Sequence, residues 1–343
     1  MRAVAPAPPG GEETPRLVEL ADPVAGPGEV LLDVRASALN RADLLQLRGQ
    51  YPPPAGESDV PGLEASGVIA ALGPGLVEGS PWRVGEAVAA LLAGGGHAEK
   101  VAVPAGQLLP LPRGWSFEEG AALPEAALTA WTNLVAEGKL AAGETVLVTG
   151  ATSGVGTFVV QLARELGARV LAAGRDPERL ERLRPLGADA VFRLGPDLGS
   201  RIRAATDGHG ADLAIDLVGG EHFERALDAL APHGRLVLVG LMAGRSTEVD
   251  LGRILRKGLR ITGSTLRPRP RAEKAALVAA FHAFAAPLLA ERKLLPVIDR
   301  VFAFDAIADA YSCLERGRLV GKVVLGVPSR SLGIGPVASA PVD

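Results

Sequence analysis

Gly150, Ser153, Gly154 and Gly156 stand in the stretch TVLVTGATSGVGTFVV, between an apolar run of strand character and one of helix character. Small residues at that spacing let a backbone approach a pyrophosphate closely. They also let the following helix, beginning near Val155, turn its first N–H groups toward the anion. The next strand-like run, ARVLAAG, ends in Gly174 rather than in an acid, and Arg175 follows at once, with Arg179 and Arg182 beyond it. A carboxylate at that tip would hold a ribose 2′-hydroxyl and repel a 2′-phosphate, whereas a guanidinium offers phosphate a bidentate partner. The pattern points to NADPH. Asp176 competes, because a different turn would aim it at the ribose, and a solvated Arg175 with no ligand role is the plain alternative.

The elements that must position these residues follow a clear rhythm. From Thr145 onward, buried strand-like runs (TVLVTG, ARVLAAG, DAVFRL, ADLAIDLVGG, GRLVLVGL, LRITGST) alternate with helical ones such as VGTFVVQLARELG, PERLERLRPLG and HFERALDALAP. Six such strands with crossover helices predict a doubly wound parallel sheet of the Rossmann type. Before Thr145, short runs such as EVLLDVRAS, SGVIAAL, AVAALLA and AEKVAVP are punctuated by Gly and Pro, which predicts a compact β-rich domain. After Thr265 a Pro-rich turn leads into a long helix. A strand, a helix and a strand then return the chain to the first domain, and the small, aperiodic PSRSLGIGPVASAPVD is expected to be a mobile tail.

Composition excludes several function classes. With 343 residues, 48% hydrophobic, the chain is long enough for two cores. A net charge of -3 with arginines scattered among acids gives no nucleic-acid footprint. The start lacks an apolar leader, and AALVAAFHAFAAPLLA is shorter than the roughly 20 residues of a bilayer span. One cysteine, Cys313, excludes an internal disulfide and a multi-thiolate metal site. A cytoplasmic protein is expected. Asparagine occurs only at Asn40 and Asn133 and arginine outnumbers lysine, which suits heat tolerance and equally a bias in codon usage.

The glycine turn satisfies two enzyme patterns. Short-chain dehydrogenases carry T-G-x-x-x-G-x-G near the N-terminus and a Tyr-x-x-x-Lys helix downstream. Here the only tyrosines are Tyr51, upstream of the turn, and Tyr311, which has no lysine four residues on. The stretches GEVLLDVRASALNRADLLQLRGQYPPP, DVPGLEASGVI, GGGHAEKVAVPAGQLLPLP, ALPEAALTAW, GATSGVG and GKVVL instead make the chain resemble the medium-chain dehydrogenase/reductase superfamily over about residues 1 to 327. It is most similar to the zeta-crystallin-like quinone oxidoreductase branch, in particular the p53-inducible type. The resemblance implies an α/β fold: a GroES-like catalytic domain (residues 1–125 and 267–327) around a Rossmann NADPH-binding domain (126–266), with a flexible C-terminal tail (328–343). It also implies a homodimer or homotetramer.

Zinc-dependent relatives place a cysteine in the loop after RASA and a histidine in a Gly-His-Glu stretch. This chain has Asn40 in the first region and Leu63 in the second. Leucine cannot ligate, asparagine ligates poorly, and the four-cysteine structural lobe is missing, so no metal is expected. The five histidines (His97, His209, His222, His233, His282) lack short ligand spacing and suit surface or capping roles.

Without a Lewis acid the substrate must itself accept hydride readily, as a quinone or an activated enone does, and the protein must hold nicotinamide C4 close to it in a dry site. The resemblance implies that Asn40, Tyr51 and Thr129 surround the nicotinamide. Asn40 either donates to a carbonyl gaining charge or bonds the carboxamide. Tyr51 either stacks on the quinone and offers its hydroxyl or anchors a Pro-rich loop. Thr129 either touches the nicotinamide or back-bonds along its helix. Main-chain groups at Val218, Gly240, Leu241 and Leu266, at the carboxyl ends of later strands, are further cofactor contacts, as is Lys322 unless it is a solvated edge lysine. The expected activity is NADPH-dependent quinone reduction. Reduction of α,β-unsaturated carbonyls and non-enzymatic NADPH sensing are the alternatives.

Overall fold

The computed structural model describes residues 1–8, 10–11, 14–76 and 80–328. The expected tail therefore lies outside the described residues from 329 onward.

Apolar runs that stay buried on both sides build the parallel sheet. Its order is Ala190–Arg193, Arg169–Gly174, Thr145–Thr149, Ala211–Asp216, Leu230–Leu238 and Arg260–Gly263, every neighbouring pair parallel. The first three run outward in one direction and the last three in the other. A crevice must therefore open beyond the carboxyl ends of Thr145–Thr149 and Ala211–Asp216, where the strand order reverses. The expected six-stranded doubly wound sheet is borne out.

The second sheet is mainly antiparallel. Its long strand Glu29–Leu39 pairs with Glu64–Leu72, Lys100–Pro104 and Lys322–Gly326. Lys322–Gly326 in turn runs parallel to Ile298–Ala303, the helix Ile307–Arg316 crossing between them. The end of the described chain thus completes a sheet begun by its start. Register matters most at one edge of this sheet: Leu39 lies opposite Val323, and Ser37 opposite Ala65. Asn40, Glu64 and Lys322 consequently emerge side by side from three neighbouring strands.

The helix Arg271–Ala290 buries a stripe of Lys274, Val278, Phe281, Ala285 and Leu289. By length and composition alone it could cross a membrane. Instead Phe281 packs between Trp131 and Phe158, at 6.0 and 6.3 Å between ring centroids, so the helix seals the core. Elsewhere a predicted helix is shorter than its pattern: PERLERLRPLG is α-helical only over Pro177–Glu181, because Pro185 lacks an N–H and restricts Arg184 before it.

Candidate functional site

The glycine turn begins immediately after Thr149. Gly150 takes a φ of +67°, a conformation that side chains resist. Ser153 caps the helix Gly154–Glu165 by accepting from the Gly156 N–H at 3.0 Å, and Val155 is half-buried in its first turn. A Cβ on Gly156 would fall 2.6 Å from the Gly150 carbonyl oxygen, so this glycine serves close helix–strand packing. A Cβ on Gly154 would collide with the Lys322 side chain. That contact is invisible in the local motif.

Asp216 fixes the far lip of the crevice. Its Oδ1 accepts from Thr149 Oγ1 at 2.6 Å and from the Val218 and Gly219 N–H groups at 2.9 and 3.1 Å, while its Oδ2 is buried without a partner. The Gly240 N–H reaches the Asp216 carbonyl at 3.2 Å. Val218 and Gly240 are half-buried, Leu241 is exposed and Leu266 buried.

At the second strand tip, Gly174 is buried and Arg175 exposed, with no ion pair on Arg175 among the described residues. Asp176 is engaged elsewhere: it caps the helix Pro177–Glu181 by accepting from the Arg179 N–H at 3.3 Å and pairs with the Arg179 guanidinium at 3.2 Å. Two groups not anticipated from the sequence feel the charge of Arg175. Burial holds the Arg41 guanidinium below its usual range, with repulsion from Arg48 and Arg175 adding to it against the pull of Glu315. Burial, then the charge of Arg225, lowers His222, and Arg175 adds a small share. Arg41 at the start of the helix Arg41–Leu47 and His222 on the helix Glu221–Ala229 thus both feel the charge of Arg175.

The reaction end is a buried polar cluster. Lys322, 4% exposed, places Nζ 2.5 Å from Glu64 Oε1 and 2.6 Å from Asn40 Oδ1. It is therefore not a solvated edge lysine. Asn40 Nδ2 donates to Glu64 Oε1 at 2.9 Å, and Glu64 Oε2 accepts the Glu125 N–H at 2.8 Å. Beneath them Asp43 reaches back to the Asn40 N–H at 2.7 Å and holds the Gly62 N–H at 3.0 Å. Burial raises Asp43 to about 6 despite those bonds.

His97 departs from the surface or capping role expected of every histidine. It is fully buried, lacks a hydrogen bond on either ring nitrogen, and lies 3.6 Å from Asp43 Oδ2. Burial, reinforced by the charge of Lys322, depresses its pKa to about 3. A depressed histidine supports the fold fully above its ordinary value of 6.5 and loses that support as pH falls toward 3. Urea unfolding should accordingly show His97→Gln less acid-sensitive than the parent through that window, by about 1.4 kcal/mol per pH unit. Equal slopes would mean that His97 is charged in the folded protein.

Tyr51 and Thr129 border this cluster. Tyr51 is half-buried, and the Arg267 guanidinium lies 5.2 Å from its ring centre. Arg267 is itself 3% exposed and donates to the Tyr51 carbonyl at 3.1 Å, the Ala93 carbonyl at 2.7 Å and Gln46 Oε1 at 2.6 Å. It ties the segment leaving the parallel sheet to the Tyr51 loop, a link absent from any local motif. Thr129 is buried on the helix Pro124–Trp131, and its carbonyl accepts from Asn133 Nδ2 at 2.7 Å.

A catalytic zinc does not fit this cluster. Leu63 is buried and offers no lone pair, Asn40 is bonded at both ends of its amide, and the Lys322 ammonium already sits against Glu64. Among the described residues no group of three or more His, Cys, Asp or Glu is gathered to hold a metal ion.

Comparison with known proteins adds the following. An alcohol dehydrogenase GroES-like domain matches residues 26–113, and a zinc-binding dehydrogenase domain matches residues 154–282. A zinc-type alcohol dehydrogenase-like protein of Schizosaccharomyces pombe is 32% identical over 327 residues, covering 88% of this chain and 91% of its own. A pikromycin polyketide synthase component of Streptomyces venezuelae is 36% identical over 243 residues, 70% of this chain but only 6% of that protein. Among solved structures, the quinone oxidoreductase of Thermus thermophilus, also determined with NADPH, is 38% identical with a TM-score of 0.79, covering 95% of this chain and 100% of that one. An NAD-dependent alcohol dehydrogenase is 33% identical with a TM-score of 0.81, covering 96% and 100%.

Proposed function

Because the chain belongs to the medium-chain dehydrogenase/reductase family of oxidoreductases, we propose that it is an NADPH-dependent quinone reductase working without zinc. The observation that carries this reading is the Lys322–Glu64–Asn40 cluster, which puts a buried ammonium against the carboxylate of the Gly-Leu-Glu stretch. Lacking a Lewis acid, the enzyme acts on an acceptor that is already electrophilic.

The residues fit the cofactor. The turn from Gly150 to Gly156 and its helix receive the pyrophosphate, and Arg175, with Arg41 opposite, meets the 2′-phosphate. Asp176, held by Arg179, stays away from the ribose. When bound, NADPH supplies the hydride. Asn40 Oδ1, oriented by Lys322, keeps a lone pair for the nicotinamide carboxamide; with Nδ2 bonded to Glu64, the carboxamide role suits Asn40 better than donation to substrate. Thr129, Val218, Gly240, Leu241 and Leu266 line the nicotinamide end. Tyr51, with Arg267 on one ring face, leaves the other face for a quinone and its hydroxyl for the oxygen that gains charge.

The test compares NADPH with NADH as reductants of 1,2-naphthoquinone, benzoquinone and an enal, followed by loss of reduced-nicotinamide absorbance. Quinone-dependent oxidation of NADPH, much weaker with NADH, is the expected result. Oxidation by the enal alone would replace the reading with an enone reductase, and cofactor binding without oxidation would leave a sensor.

The proposed reductase is a cytoplasmic homodimer. The strand Arg260–Gly263 ends the parallel sheet with every residue exposed, beside exposed Leu251 and Leu255, and an open edge of this kind pairs readily across a two-fold axis. Light scattering should give twice the chain mass of 35.2 kDa; a monomer would refute the pairing.

A further inference from the structure

We propose that Glu125 is the proton donor of the reduction, giving its carboxyl hydrogen to the substrate oxygen that gains charge as hydride arrives. The proposal rests on the reductase reading of the same cluster and assigns it the acid that hydride transfer requires.

Glu125 occupies the first turn of the helix Pro124–Trp131, one turn before Thr129 and on the same helix face. Carboxylates are usually welcome at a helix start. Here that place is taken, because Glu64 accepts the Glu125 N–H at 2.8 Å and sets a second carboxylate beside it. Glu125 Oε2 is buried and has no hydrogen-bond partner. The nearby cations are committed elsewhere: Lys322 to Glu64 and Asn40, Arg267 to Ala93, Tyr51 and Gln46, and Lys274 to the Arg267 carbonyl. A carboxyl with one oxygen shut from water, a like charge next to it and no bonded cation is favoured as the neutral acid. Its pKa is raised to about 8, first by burial and then by Glu64, with Asp43 adding and with Lys322 and Arg267 opposing. A buried, unpartnered carboxyl oxygen is uncommon enough to call for a role, and a group titrating near neutral pH suits general acid catalysis.

Tyr51 is the weaker acid of the two: burial raises its pKa, Arg267 opposes and Glu125 adds to the rise, so its hydroxyl is assigned a hydrogen bond to the same oxygen. Bound NADPH would supply a hydride, an electron pair with its hydrogen, to the electrophilic carbon of the conjugated carbonyl, whose displaced π electrons would collect on oxygen. The Glu125 O–H bond then breaks as the new O–H bond forms. The carboxylate left behind is reprotonated from water, so NADPH and one proton are consumed per acceptor reduced.

Turnover of NADPH with 1,2-naphthoquinone should be measured for the parent, Glu125→Gln and Glu125→Asp between about pH 6 and about pH 10, the span in which such an acid titrates. Parent kcat should fall as pH rises through about 8. Glu125→Gln should lose about 10²- to 10⁴-fold in kcat and the pH limb with it, at unchanged NADPH affinity, and Glu125→Asp should recover part of the rate. A Gln variant that keeps the parent kcat and pH limb would overturn the proposal. The infrared difference between parent and Gln variant should carry a carboxylic-acid C=O band at neutral pH, with or without turnover, and its absence would equally overturn it. Should the parent oxidise NADPH with neither quinones nor enones, the reductase reading itself fails and the donor role with it.

Discussion

Lys322→Met should destabilise the protein by about 3–5 kcal/mol, because it leaves a fully buried carboxylate without its counter-ion. Glu64 is 0% exposed and Lys322 4%, so solvent screens neither group. Methionine keeps an apolar stem of similar reach against Gly154 and removes only the charge and its bonds to Glu64 and Asn40. Glu64 would retain the Asn40 amide and the Glu125 N–H, which satisfy its lone pairs but not its charge. The double variant Lys322→Met with Glu64→Gln should recover most of the loss, since a neutral replacement of a buried ion pair is often nearly free. Urea unfolding of the four proteins in a double-mutant cycle checks this. A single variant costing less than about 1 kcal/mol, the range of exposed pairs, would mean that water reaches the cluster.

Arg175→Ala should weaken NADPH binding by roughly 10- to 100-fold while leaving NADH nearly unchanged. A charge-assisted hydrogen bond contributes about 1.5–3 kcal/mol, and about 1.4 kcal/mol is tenfold in affinity. Arg175 has no ion pair among the described residues, whereas Asp176 is bound to Arg179. Arg41 adds to the effect, since the charge of Arg175 slightly disfavours its own and a bound anion would relieve both. Asp176→Ala is the control; it removes a helix cap, at about 1 kcal/mol of stability, and should leave the preference between the two cofactors as it was. Cofactor titrations that give the Arg175 variant parental NADPH affinity would move the 2′-phosphate to another part of the crevice.

Much of this architecture is written in local pattern. The alternation of apolar runs and amphipathic helices after Thr145 leads to the parallel sheet, because strands buried on both faces need apolar residues throughout. The glycine turn is equally local, since φ at Gly150 and packing at Gly156 depend on neighbours a few residues away. That leucine at position 63 cannot coordinate a metal is likewise a matter of residue type alone. The helix Pro177–Glu181 ended early for a reason also present in the sequence, the proline at 185.

Other properties belonged to the folded chain alone. Lys322 meets Asn40 across 282 positions, through the register of strands that no local motif encodes. Asp176 competed with Arg175 on paper, and only the path of its turn gave its carboxylate to the Arg179 N–H and guanidinium. His97 looked like any other histidine until the sheet closed over it. Glu125 is one of many glutamates in composition, and only its place in the fold, by burial first and Glu64 second, raises its pKa. The folding pattern and the glycine turn could be read from residue types, because side-chain period and backbone freedom travel with them. Charge states and partners emerged with the fold, because dielectric and Coulomb forces depend on distances that exist only once remote strands have paired.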